Sequence, residues 1–247
     1  MKKKNIFTII TARTKSKRLP KKCLKIINKL PVIEIIIRRA KKIGYPIILS
    51  TTMDPADNIL CRIAKKNNIN FFRGSKNNVL KRWNDCFSFY KVDIGIIVDA
   101  DDLLFDYDIC KKAVNKITNS KYDYIRSNKN SITGLFNYVF KSYVIKKIFS
   151  KNKTKNIETI GPYLKNKFNC YSLNLKKDKK LRLTLDYKED LIFFKKIFSK
   201  FSFTVKTTIV IKYLRIFKKI SNINYFRQDD YLKNQKRKYD KLQRLEI

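Results

Sequence analysis

The stretch Ile6-Phe7-Thr8-Ile9-Ile10-Thr11, followed at once by Ala12-Arg13-Thr14-Lys15-Ser16-Lys17-Arg18-Leu19-Pro20-Lys21-Lys22-Cys23-Leu24, decides the fold. Residues 5–11 are β-branched and nearly uninterrupted, which suits a strand buried on both faces. Residues 32–43 then carry a helical period that ends at Gly44. A strand follows over 46–52, a helix over 57–67 behind Pro55, a strand over 69–73, a helix over 79–90, and a fourth strand over 94–98 that closes on Asp99. Four β-α repeats predict an α/β domain with a parallel sheet flanked by helices. The cationic loop 12–24 falls at the carboxyl edge of that sheet, where open α/β sheets bind ligands.

Further on, 107–119 reads as a helix and 123–126 as extended chain. Beyond Ser127 the pattern loosens. Residues 135–140 and 168–173 read as strands, 143–149 and 157–166 as helices, and the polar run 150–156 as a surface loop. This is where such a domain could carry a small insertion or dimer arm. A strand over 181–185 stops at Asp186, helices follow over 188–200 and 206–216, and the charged run 229–247 reads as a solvated helix or partly disordered tail. The expected organisation is one domain over 1–228, with 127–175 as a sugar-binding or dimerisation subregion, and a tail over 229–247.

Composition removes many alternatives. The chain of 247 residues has no histidine, which excludes Ser-His-Asp and Cys-His devices and His-containing zinc sites. Its five glycines stand no closer than Gly74 and Gly95, so neither a Walker A loop nor a G-x-G-x-x-G fingerprint can be written. Phosphate would have to be held by side-chain cations. The net charge of +38 points to an acidic partner. Much of the excess, however, is Lys on polar helix faces, in company with the Ile, Asn, Phe and Tyr that A- and T-rich codons favour. The aromatic runs 87–90 and 193–198 lie at helical spacing and read as core, so specific nucleic-acid recognition is not expected. Five cysteines with no C-x-x-C pair look like reduced thiols. The run 6–10 is too short for a signal segment, and no apolar stretch reaches the ~20 residues of a membrane span. A cytoplasmic location is expected.

The chemistry of loop 12–24 suits a triphosphate. Arg grips phosphate oxygens as a planar fork, and Lys neutralises charge that builds on leaving pyrophosphate. The bland reading is a solvated basic loop. Its spacing, Ala-Arg-x-x-Ser-x-Arg-Leu-Pro-x-Lys-x-Leu after a strand, resembles the opening motif of the cytidylyltransferases that activate acidic sugars. The likeness is greatest to the SpsF-like spore-coat polysaccharide branch related to the CMP-KDO and acylneuraminate synthetases. Phe72-Arg73-Gly74-Ser75 with Asn78-Val79-Leu80-Lys81-Arg82 resembles the family's segment near the nucleotide. Asp99-Ala100-Asp101 resembles its metal-binding strand end. Arg182-Leu183-Thr184-Leu185-Asp186-Tyr187-Lys188-Glu189-Asp190-Leu191 resembles its late Arg-Leu-Thr-x-Asp-x-x-x-Asp-Leu signature. Two departures stand out: Lys15 and Lys21 occupy places where relatives commonly have glycine, and Asp102-Leu103 replaces a small or acidic residue followed by proline.

The resemblance implies a Rossmann-like, GT-A-like nucleotidyltransferase fold with a mixed, mostly parallel sheet, and a homodimer. It implies transfer of CMP from CTP to a sugar, with release of pyrophosphate, for surface polysaccharide or glycan biosynthesis. Arg13 and Lys22 would be catalytic. Ala12, Ser16, Arg18, Thr51, Thr52, Arg73, Ser75 and Arg82 would bind the nucleotide, Asp101 and Asp186 would hold Mg²⁺, and Arg126, Asn128 and Glu158 would meet the sugar. Placement supports the acid pair independently, since both residues end predicted strands. Two carboxylates ~4 Å apart at an effective dielectric near 20 repel by about 4 kcal/mol, so something positive must lie between them. Oxygen ligands plus phosphate favour Mg²⁺. Alternatively, Asp99 caps a turn and Asp186 a helix. Two functional alternatives remain: a glycosyltransferase using Asp99 and Asp101 as a D-x-D motif, and a degenerate nucleotide-binding protein. Arg13 and Lys22, as exposed loop cations, are expected to contribute little to stability, within about 1 kcal/mol.

Overall fold

The structure is a computed structural model that describes residues 4–128, 130–164, 167–175, 178 and 180–244. In chain order its elements are β1 (Ile6–Thr11), β2 (Ile26–Ile27), β3 (Leu30–Pro31), α1 (Val32–Lys41), β4 (Ile47–Thr52), α2 (Asn58–Lys66), β5 (Asn70–Gly74), α3 (Val79–Phe89) and β6 (Ile94–Asp99). There follow α4 (Tyr107–Thr118), β7 (Tyr124–Ser127), β8 (Tyr138–Lys141), α5 (Ser142–Ser150), α6 (Gly161–Leu164), β9 (Cys170–Leu173), α7 (Lys188–Lys200), α8 (Thr207–Ile216), α9 (Lys218–Tyr225) and α10 (Arg227–Arg244).

Seven strands form one sheet in the order β5-β4-β1-β6-β8-β7-β9. The first four are mutually parallel, β8 pairs antiparallel with both β6 and β7, and β9 runs parallel to β7. β8 alone runs against the rest, which gives the mixed, mostly parallel sheet expected. Alternate residues of the central strands feed separate cores. Ile10, Leu49, Ile96 and Val98 pack with α1, α4 and α7, whereas Ile9, Ile48 and Ile97 pack with Trp83, Phe87 and Phe140. The α3 face leaves no room beside Gly95, where a Cβ would meet the Phe87 ring at 2.2 Å. That close approach requires glycine.

Three expectations change. The strand expected over 135–140 is only β8, because Leu135 and Phe136 are buried in a loop in which Gly134 takes φ 85 and Leu135 accepts from the Asp106 N–H. The helix expected over 157–166 reduces to α6 among the described residues; the Ile157 carbonyl instead accepts from the N–H groups of Val79 and Leu80 at the start of α3, and 165–166 lie outside them. The segment 181–185 is extended but is no strand. Its hydrogen bonds go to loop carbonyls, Leu183 N–H to Thr133 and Leu185 N–H to Asp101, leaving a single bridge between Thr133 and Arg182. Asp186 therefore does not end a strand of the sheet, and Asp101 stands in the turn just past β6. α9 is not evident from the sequence, and α10 runs from Arg227 well into the charged tail.

Candidate active site

Loop 12–24 leaves the middle of the sheet tied down at several points. The Ala12 N–H reaches the Ser50 carbonyl of β4 at 3.1 Å, and Trp83 donates to Thr11 Oγ1 at 2.9 Å. Asp57, 1% exposed, accepts from Thr14 N–H at 2.7 Å and Thr14 Oγ1 at 2.6 Å, and its other oxygen accepts from Thr52 Oγ1. A carboxylate that accepts three donors holds a loop by both its atoms. Leu19 and Cys23 pin the far end in the core. Between them the chain turns through Lys21 at φ 52, a left-handed conformation that favours glycine. Lys22 follows as the first residue of a single 3-10 turn (Lys22–Leu24).

The turn aims Lys22 at two acids from distant parts of the chain. Its Nζ donates to Asp101 Oδ2 and, at 2.8 Å, to Asp186 Oδ1. Arg18 donates to the same Asp186 oxygen at 2.5 Å, and the second oxygen accepts from Arg182 at 3.2 Å. The positive group between Asp101 and Asp186 is thus the Lys22 ammonium. Burial works against all these charges, yet the pairs outweigh it: Lys22 is pushed well above its ordinary value, and Asp186 is held at about 2. The Lys22 side chain is only 17% exposed, so the expectation of an exposed cation with little part in stability does not hold for it.

Asp99, Asp101 and Asp102 bring carboxylate oxygens within 4.8 Å of one another. Asp99 also accepts from Asn137 at 2.6 Å. Burial, and then the negative charge of Asp101, push Asp99 up to about 7, and the same causes joined by Asp99 push Asp102 well above the carboxylate range. Lys22 touches only Asp101 in this trio, which leaves mutual repulsion that a divalent cation would relieve. An oxygen-only donor set of this charge fits Mg²⁺ or Mn²⁺. Asp186 stands outside the trio and faces Asp101 across Lys22.

The remaining expected residues fall in three groups. Arg13 joins the loop to the loosened region, donating to Glu158 at 3.2 Å and to the Lys76 carbonyl at 3.5 Å. Ser16 is half-buried in the same loop, and Thr51 and Thr52 are buried at the end of β4. Arg73, Ser75 and Arg82 instead build local structure around the end of β5. Arg73 is bonded to the carbonyls of Thr52 and Asp54 at 3.1 Å each, Ser75 Oγ accepts from Asn78 N–H, and Arg82, 1% exposed, donates to the Ser75 carbonyl at 2.8 Å. Burial and then Arg13 hold Arg82 down at about 10. Arg126 lies on β7, two strands from β6, with its Nε buried and unbonded, and Asn128 is bonded to the Leu175 carbonyl at 3.1 Å.

Sequence reasoning missed Asp57, whose only signal was its place behind Pro55 at a helix start. It took Asp102 for a departure from pattern, although it completes the carboxylate trio. It missed Asp190 as a hub: both oxygens pair with Arg182 at 2.9 and 3.1 Å, and one also accepts the N–H groups of Asp186 and Tyr187. The spacing of the late motif, with Arg182, Asp186 and Asp190 four apart, carried that information.

A helix-flanked, mostly parallel sheet with a cationic loop and a carboxylate group at its carboxyl edge defines a Rossmann-like fold whose site suits a nucleotide phosphate and a divalent cation. The chain belongs to the Cytidylyltransferase family, whose sequence profile matches residues 7–242. It is 30% identical over 229 residues to the uncharacterized protein MJ1063 of Methanocaldococcus jannaschii, covering 89% of this chain and 94% of that one. Among solved structures it is similar to a cytidylyltransferase from Leptospira borgpetersenii serovar Hardjo-bovis, with TM-score 0.78 and 24% identity over 88% of this chain and 97% of that one. The fold also matches CMP:2-keto-3-deoxy-manno-octonic acid synthetase complexed with CTP, with TM-score 0.62 and 12% identity over 79% and 98% of the two chains. Family membership makes this a CTP-utilising nucleotidyltransferase and sets the glycosyltransferase alternative aside.

Proposed function

We propose that the protein transfers CMP from CTP to a hydroxyl of an acidic sugar, releasing pyrophosphate, in the synthesis of a surface polysaccharide or glycan. The observation that carries this reading is the Lys22 ammonium held between Asp101 and Asp186 at the carboxyl edge of the sheet. The sugar oxygen attacks the α-phosphorus as the bond to the β-phosphate oxygen breaks. Such a transfer depends on in-line positioning and charge neutralisation more than on covalent work by the protein. Arg13, Arg18 and Lys22 supply cations along one face of the triphosphate, and the anchored loop carries Ala12 and Ser16 to the same phosphates. Thr51, Thr52, Arg73, Ser75 and Arg82 shape the nucleotide side, partly by holding backbone. Asp99, Asp101 and Asp102 would hold Mg²⁺, with Asp186 facing them across Lys22; the ion supplies charge neutralisation on phosphate oxygens. Arg126, Asn128 and Glu158 border the acceptor, and the unbonded Nε of Arg126 suits an acidic group. Support for CTP comes from the family and from the CTP complex of the similar synthetase.

The same reading assigns the chain to the cytoplasm, with all five cysteines free, and to a homodimer through 127–175. Among the described residues no helix is long and apolar enough to cross a membrane. A pyrophosphate-release screen over CTP, UTP, ATP and GTP, with nonulosonic, KDO-like and neutral sugars, tests the reaction. Release is expected only with CTP and an acidic sugar together. Release without acceptor, or with another nucleotide in preference, would count against it.

A further inference from the structure

We infer that Tyr231, on the last helix, is a positioning residue for the proposed transfer: its ring seats the Arg182 guanidinium that orients Asp186 toward Lys22 and Arg18. The inference rests on the cytidylyltransferase reading and extends its site to a helix beyond the four motifs quoted from the sequence, the last of which ends at Leu191.

Arg182 is 1% exposed and every nitrogen of its guanidinium is used. Nε and Nη2 grip Asp190, Nη2 also reaches Asp186 Oδ2 at 3.2 Å, and Nη1 donates to Gln228 Oε1 at 3.2 Å. The guanidinium carbon lies 4.9 Å from the Tyr231 ring centroid and 5.5 Å from that of Tyr187. The helix approaches with one face. Arg227, Tyr231 and Asn234 recur at helical spacing: Arg227 lies over the Tyr187 ring, and Asn234 donates to its hydroxyl at 3.2 Å. Gln228 is fixed in turn by Thr133 Oγ1 at 2.8 Å.

Asp186 divides its duties between its oxygens. Oδ1 takes Lys22 and Arg18, and Oδ2 takes Arg182. Any rotation that frees Oδ2 therefore moves both loop cations. Burial and the nearby charges of Asp102, Asp186, Asp101 and Asp99 push the Tyr231 phenol up. The Tyr231 ring thus bears on the guanidinium that sets Asp186, while Arg227 of the same helix lies over the Tyr187 ring beside it.

The test uses the full chain, CTP and the acceptor found in the pyrophosphate screen. Tyr231→Leu is expected to lower kcat about tenfold with KM for CTP within about twofold, because a misplaced cation is felt as phosphate charge develops. Tyr231→Phe, which keeps the ring, is expected to rescue kcat. A lowered melting temperature with unchanged kcat per folded molecule in Tyr231→Leu overturns the inference and leaves the reaction standing. Failure of Tyr231→Phe to rescue overturns the ring-stacking assignment. Should Tyr231→Leu not fold, Gln228→Leu loosens the same guanidinium from Nη1 and must lower kcat at constant KM, or the inference falls. A wild-type chain that releases no pyrophosphate from CTP with any acceptor overturns the reading and the inference together.

Discussion

Replacing Lys22 by Met keeps the aliphatic stem and deletes the charge between Asp101 and Asp186. Removing one partner of a buried ion pair costs about 3–5 kcal/mol when the other is left uncompensated. Here the loss is smaller. Asp186 keeps Arg18 at 2.5 Å and Arg182 at 3.2 Å, Asp101 is 22% exposed and reaches water, and the deleted ammonium no longer suffers its own desolvation. A net loss of about 2 kcal/mol remains, against the ~0–1 kcal/mol of a surface pair. The single tryptophan, Trp83, is 6% exposed and reports urea unfolding directly. Asp101→Asn should destabilise the wild type yet be neutral or stabilising beside Lys22→Met, with a coupling of about 1–2 kcal/mol. Acid gives a second readout. Asp186 is depressed from 3.8 to about 2, so it contributes stability that is present above 3.8 and lost as pH falls toward 2. Lys22→Met should shrink that acid-linked loss. Strictly additive substitutions, or a loss below about 0.5 kcal/mol, would refute the bridging role.

Arg13→Ala should behave oppositely: with side chains 38% and 42% exposed, its pair with Glu158 is worth at most about 1 kcal/mol, while turnover falls on the order of a hundredfold in the pyrophosphate assay. Lys21→Gly relieves a left-handed backbone worth roughly 1–2 kcal/mol and costs roughly 0.5–1 kcal/mol in chain entropy, so the stability read from urea unfolding should rise by a net of about 0.5–1 kcal/mol. No rise would show the turn to be unstrained. Asp57→Ala strands the Thr14 N–H and two hydroxyls in a buried site; about 3 kcal/mol of stability should be lost, with KM for CTP rising more than kcat falls. Equal effects on both kinetic constants would separate Asp57 from the loop's grip on nucleotide.

What the sequence carried was whatever rests on local period. The β-branched runs 5–11 and 94–98 are buried on both faces, so composition alone marks them, and helices such as Val32–Lys41 show their apolar stripe. The segment 181–185 misled for a physical reason. Its alternation buries Leu181, Leu183 and Leu185 as a strand would, but its backbone pairs with loop carbonyls of Thr133 and Asp101 that no local pattern foretells. That Asp101 and Asp186 meet was expected from two strand ends, a place Asp186 does not hold, and that a counter-charge stands between them was legible because like charges require one. The assignment of that counter-charge to Lys22 itself was not, since both a metal and a lysine satisfy the same electrostatic demand. A helix in the charged run was one of its two readings, but the inward face of α10 was hidden by composition. Its charges read as solvation, and only packing shows that Gln228, Tyr231 and Asn234 turn inward.

The cations of the loop are not idle while they wait for phosphate. Arg13 rests on Glu158, Lys15 on Asp54, Arg18 on Asp186, and Lys22 on Asp101 and Asp186. In the proposed reaction an incoming triphosphate would exchange carboxylates for phosphate oxygens at these cations, and the cost of that exchange differs along the loop. The Arg13 pair and Lys15, which is 64% exposed, lose little when their partners let go, because water and salt already screen them. Lys22 and Arg18 sit on a carboxylate only 2% exposed, where an unpaired charge is expensive. The outer cations can therefore engage phosphate first. In the proposed reaction, Lys22 would leave Asp101 as a cation accompanying the nucleotide takes its place, while Asp186 keeps Arg18 and Arg182. Coupling of that kind would keep the buried carboxylates paired through the proposed reaction and reserve the most shielded ammonium for charge that develops late on the leaving pyrophosphate.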